Sequence, residues 1–168
     1  HVGEATEQHA SLHGRAEARG DKLAPTCVTC HGGHGILSHK DAKSPVAAPN
    51  VPLLCGRCHR EGAEVSLSRD IPQERILENY ADSIHGEGLF KKGLTVTAVC
   101  TSCHTAHSIL PHTDAKSSIN QRNVATSPGS SDAARSLSDK EFSDVLVFTR
   151  AAFEMALAFR GRKAARTA

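Results

Sequence analysis

Apolar residues recur at helical spacing in few places along the chain. Ile76, Leu77, Tyr80 and Ile84 form one stripe, which predicts a helix over 72–84. Asp70 with Gln73 resembles an N-terminal cap pair, Pro72 suits a first turn, and Gly86 reads as the stop. A shorter helix is expected over 4–13, ended by Gly14. Each of these helices would deliver a histidine, His13 or His85, at its last turn. The segments 14–30, 32–58 and 86–99 are rich in Gly, Pro, Ser and Thr and read as loops. No segment alternates well enough to predict a strand. The expected class is therefore mainly α, with extensive irregular loops and little or no sheet. The tail differs in kind. Residues 125–137 read as a linker. Ser138 and Glu141 form a capping box ahead of Phe142, Val145, Leu146, Phe153 and Leu157, which predicts an amphipathic helix over 138–163. It would pack on the chain's own domain, dock onto another subunit, or lie on a membrane surface.

The loops contain the chemistry. Cys27-Val-Thr-Cys30-His31, Cys55-Gly-Arg-Cys58-His59 and Cys100-Thr-Ser-Cys103-His104 use all six cysteines. Cys-x-x-Cys-His is the attachment signal for c-type haem. The two thiols of each pair form thioethers to the porphyrin vinyls, and the histidine that follows becomes the proximal iron ligand. A zinc ribbon also uses Cys-x-x-Cys pairs, about 15–20 residues apart and in twos. Three pairs leave one without a partner, and neither zinc, disulfides nor a thioredoxin-like pair explains the three histidines. Composition agrees with the haem reading. Aromatic content is 4%, with five Phe, one Tyr and no Trp, so a purely polypeptide core would be thin. Three covalently attached haems c would supply the missing apolar bulk.

Two copies of one module are visible. At an offset of 73, Cys27, Cys30 and His31 fall on Cys100, Cys103 and His104. His34 falls on His107, His39 on His112, Asp41 to Ser44 on Asp114 to Ser117, and Asn50 on Asn123. Ser11-Leu12-His13-Gly14 matches Ser83-Ile84-His85-Gly86 at an offset of 72. The expected layout is a trihaem domain over 1–124 made of tandem modules at about 9–60 and 80–124. The second copy lacks its second attachment site: Cys55, Cys58 and His59 would fall on Pro128, Ser131 and Asp132.

Repetition also selects the distal iron ligands. The helix-end histidine is expected to serve the first haem of its module and the histidine three residues after the proximal ligand to serve the second. That assigns His13 to the haem at Cys27 and Cys30, His34 to the one at Cys55 and Cys58, and His85 to the one at Cys100 and Cys103. His107 is left over, either solvated or ligating a haem in a neighbouring subunit. His39 and His112 read as surface groups or supports for the ligands.

Ser-x-His-Gly, Cys-His-x-x-His and Cys-Gly-x-Cys-His together resemble the multihaem c-type cytochromes with paired Cys-x-x-Cys-His motifs, over roughly residues 9–124. The resemblance implies bis-histidine electron transfer along stacked haems and no catalysis by the chain itself. Partners would be other redox proteins or cytochrome subunits, with a homo- or hetero-oligomer held through the C-terminal helix. It also implies alternatives: a subunit of a redox enzyme or respiratory complex with one open-coordinate haem, or a protomer of an extracellular cytochrome filament. The chain begins with His1 rather than Met, which reads as an exported protein with its signal removed, periplasmic or extracellular. No run of about 20 apolar residues exists, so no transmembrane segment is expected. With a formal charge of +2, no basic face argues for nucleic acid.

Overall fold

The computed structural model describes residues 1–69, 71, 73 and 75–124. The expected linker 125–137, the helix 138–163 and the degraded site at Pro128, Ser131 and Asp132 lie outside the described residues. The described chain is mainly helical, and no strand occurs among the described residues. The helices are short: α1 Val2–Ala10, α2 Leu12–Ala18, α3 Cys27–His31, α4 Val51–His59, α5 Glu64–Ser68, α6 Ile76–Ala81, α7 Ile84–Gly86 and α8 Cys100–His104. A 3-10 turn at Ala48–Asn50 leads into α4, and a π-turn at Glu87–Lys91 continues α7. Among the described residues no helix is long and apolar enough to cross a membrane.

Two expected helices are each split in two, for one reason. The Ser11 hydroxyl accepts from the Gly14 N–H at 3.1 Å, and the Ser83 hydroxyl accepts from the Gly86 N–H at 3.2 Å. A serine in extended backbone that satisfies an N3 amide starts a new helix rather than continuing the old one. Ser11 N–H also donates to the Gln8 carbonyl and Ser83 N–H to the Tyr80 carbonyl, both at 3.0 Å. Gly14 and Gly86 are thus not helix stops. They sit where the new helix crosses the old one, and a Cβ there would run into the Gln8 and Tyr80 carbonyl oxygens. His13 and His85 consequently lie in the first turn of a helix, not the last. The segment 32–58, expected as loop, also contains α4. The Ala48–Asn50 turn and Pro52, a residue suited to a first turn, start it.

The repeated loops carry the same hydrogen bonds at matching positions. Asp41 Oδ1 accepts from Lys43 N–H and Asp114 Oδ1 from Lys116 N–H, each at 2.9 Å. The Ser44 hydroxyl donates to the Leu37 carbonyl and the Ser117 hydroxyl to the Leu110 carbonyl. Asn50 Nδ2 donates to the Ala42 and Ser44 carbonyls, and Asn123 Nδ2 to those of Ala115 and Ser117. Side-chain amides therefore close loops that have no sheet to hold them.

The core is small. Val51, Leu89 and Val99 form it, with Cys55, Tyr80 and Cys100 packed against them. Tyr80 Oη donates to the Ala98 carbonyl at 3.0 Å and its ring meets Phe90 edge-on. Among the described residues five hydrophobic ones are buried, two of them alanines, whereas eleven large ones are exposed, among them Leu12, Val28, Ile36, Leu53 and Ile84. Isolated exposed aliphatics are ordinary. An excess of this size over the buried set leaves apolar surface that the protein's own side chains do not cover.

Candidate haem-binding site

Each Cys-x-x-Cys-His motif forms a helical turn: α3, α4 and α8. Within a turn, positions i, i+3 and i+4 share a face, so both thiols and the histidine lie on one side. The helices start by matching devices. Thr26 N–H donates to Thr29 Oγ1 at 3.0 Å, and Val99 N–H donates to Ser102 Oγ at 3.1 Å. The chain leaves α3 at Gly32 with φ 83° and leaves α8 at Thr105 with φ 65°. Both residues are extended in ψ, a conformation that glycine adopts freely and threonine only under strain.

All six thiols are free. The motifs nevertheless meet. Cys55 and Cys100 pack against the same small core; the interaction between their thiols, ahead of burial, pushes the Cys55 thiol up and draws the Cys100 thiol down. Burial, then the neighbouring Cys55, Cys58 and Cys27, pushes up the Cys30 thiol. Burial alone raises Cys103. Helix α4 packs closely on α6 and also touches α8. A Cβ on Gly56, inside the second motif, would press on the Leu77 side chain.

The histidines are arranged differently from the expected assignment. The ring of His13 lies opposite that of His59, with centroids 6.1 Å apart and planes at 32°. His31 lies opposite His107, also at 6.1 Å, with planes at 16°. His13 thus faces the second motif of its module rather than the first. His107, expected to be left over, faces the first motif of the other copy. His34 and His39 are exposed. His85 is half-buried, with Thr97 Oγ1 3.5 Å from its Nδ1 and donating to its carbonyl at 3.3 Å. The His112 carbonyl accepts from Asn120 Nδ2, a structural contact.

Charge and satisfaction fit a metal-binding role. Burial lowers the pKa of His59 and of His85. Burial first, and the nearby His59 second, lowers that of His13. These three imidazoles are therefore mostly neutral at pH 7, the form that binds metal, whereas His104 is exposed to solvent. His59 Nδ1 is buried without a hydrogen-bond partner, and an orphaned buried nitrogen points to a partner outside the protein. Metal–imidazole bonds of about 2 Å put the centroids of two imidazoles on opposite sides of one ion roughly 6 Å apart. Both observed ring pairs have that spacing. A tetrahedral zinc site needs a cluster of converging donors. Among the described residues no group of three or more His, Cys, Asp or Glu converges on one point. A surface cleft of about 680 Å³ lined by Arg19, Asp21, Lys22, Glu64 and Arg69 contains none of the cysteines or histidines.

The chain matches no family model, no curated protein and no solved structure.

Proposed function

We propose that this chain is a trihaem c-type cytochrome that transfers electrons between redox partners outside the cytoplasm. The observation that carries this reading is the pairing of two proximal histidines, His31 and His59, with a second imidazole at the spacing one metal ion requires. Bound haem would supply one-electron chemistry at iron.

The chain's residues do the rest. Cys27 and Cys30, Cys55 and Cys58, and Cys100 and Cys103 provide the thioether attachments. His31, His59 and His104 would serve as proximal ligands. His107 and His13 would supply the second imidazole at the first two sites, an arrangement suited to electron transfer. The contact between Cys55 and Cys100, and the closeness of Cys30 to Cys55 and Cys58, hold the attachment points together, so electrons need hop only short distances. Exposed Leu12, Val28 and Leu53 would provide apolar surface for macrocycles. The partners are other redox proteins or cytochrome subunits.

One observation favours a second reading, a redox-enzyme subunit with one open iron: His104 has no facing ring at that spacing among the described residues. Intact mass and an optical spectrum with carbon monoxide test both readings. Three covalently added haems are expected. Colourless protein, or a mass with no added haem, overturns the proposal; carbon monoxide binding at every site overturns the closed-iron assignment.

A further inference from the structure

The two copies touch through an interface that is used in one direction only. At the start of α2, Leu12 N–H donates to the Ile109 carbonyl of the second copy at 2.8 Å, and His31 of α3 faces His107. Both contacts run from the first copy's cap and motif helix to the segment that follows the motif helix of the second copy. A two-fold relation would repeat them in reverse, with Ile84 donating to Ile36 and His104 facing His34. Neither contact occurs among the described residues. The copies are therefore arranged head to tail, and such an arrangement leaves two unused halves.

Both halves are open and preformed. The first copy's segment 34–37 is exposed, with Ile36 at 63%, whereas its counterparts His107 and Ile109 are half-buried against the first copy. Ile84, the counterpart of Leu12, is 53% exposed. Ser83 and Gly86 hold the start of α7 as Ser11 and Gly14 hold that of α2. Ser44 and Asn50 hold the loop after segment 34–37 as Ser117 and Asn123 hold its counterpart.

We propose that a second copy of this chain docks here head to tail. The Ile84 N–H donates to the carbonyl of Ile36 of the partner subunit, and His34 of the partner subunit faces His104. The occupant is a second copy because the chain already makes the same two contacts, the Leu12 N–H to the Ile109 carbonyl and His31 to His107, with its own copy of this segment. The histidine part of the interface rests on the haem reading above and would close the third iron. A head-to-tail contact that does not close into a ring grows into a filament.

The test uses the full haem-loaded chain. Sedimentation velocity across a concentration series should show dimers and longer species. Ile36→Asp, at an exposed position, should weaken assembly at least about tenfold with the haem count unchanged. His34→Ala should leave the spectrum of the monomer unaltered while keeping one iron reactive to carbon monoxide at concentrations where the parent chain has closed it. A parent chain that stays monomeric, undiminished assembly of Ile36→Asp, or a changed monomer spectrum in His34→Ala overturns the proposal. Three attached haems with no assembly removes the interface and leaves the cytochrome. Assembly that depends on Ile36 in a chain without haem does the reverse.

Discussion

Ser44 and Ser117 are 0% and 1% exposed, and each donates to the carbonyl seven residues before it. Ile36 and Ile109, equivalent by the same repeat, share no such likeness, since the first is exposed and the second half-buried. The two copies share the hydrogen bonds of Ser11 and Ser83, Asp41 and Asp114, Ser44 and Ser117, and Asn50 and Asn123, each of which stays inside one copy. They differ wherever one copy rests on the other. Local polar contacts therefore specify the shape of the module, and its surroundings decide which histidines acquire partners.

That comparison can be broken, beginning where the effect is largest. His107→Ala should open the iron at Cys27 and Cys30, making about one third of the haem reactive to carbon monoxide in difference spectra. Gly14→Ala and Gly86→Ala should each cost about 3 kcal/mol in urea unfolding, since a backbone carbonyl occupies the space. A large loss at only one of them would show that the crossings are not equivalent. Asn50→Ala and Asn123→Ala each remove two hydrogen bonds to loop carbonyls, and losses of about 2 kcal/mol are expected from both. Thr105→Gly should stabilise the chain by about 1 kcal/mol, because it gives the second copy the residue that the first has at Gly32.

The smallest effect belongs to the first copy alone. Arg69 Nε donates to Asp21 Oδ2 at 2.9 Å and Arg69 Nη2 to Oδ1. This hydrogen bond, followed by the Leu23 N–H, lowers the Asp21 carboxyl from 3.8 to about 2. A lowered carboxyl pKa contributes stability above pH 3.8 that is lost as pH falls towards 2. The pair is exposed to solvent, so the slope should be shallow. Asp21→Asn should flatten it in acid-unfolding curves.

The internal repeat and the mainly helical, strandless character of the described residues were legible in the sequence, because they depend on spacing and on local backbone preference. The breaks at Ser11 and Ser83 were not read, although each serine stands three residues before the glycine whose amide it takes. The glycines drew attention as stops, when close helix crossing is what requires them. Helix α4 was hidden by the prolines and glycine around it, although a proline in a first turn favours a helix. The facing of His13 with His59 and of His31 with His107 depends on how separate segments pack, and no local pattern encodes that.

The partnership of His31 with His107 has a consequence for timing. A chain that emerges N-terminus first can bring His13 and His59 together early, since both belong to the leading half. The first motif to appear must wait for almost the last described residues before its ring finds a mate. Any interruption of synthesis before then would leave that earliest motif without its facing ring, so completion of the leading module is governed by arrival of the trailing one.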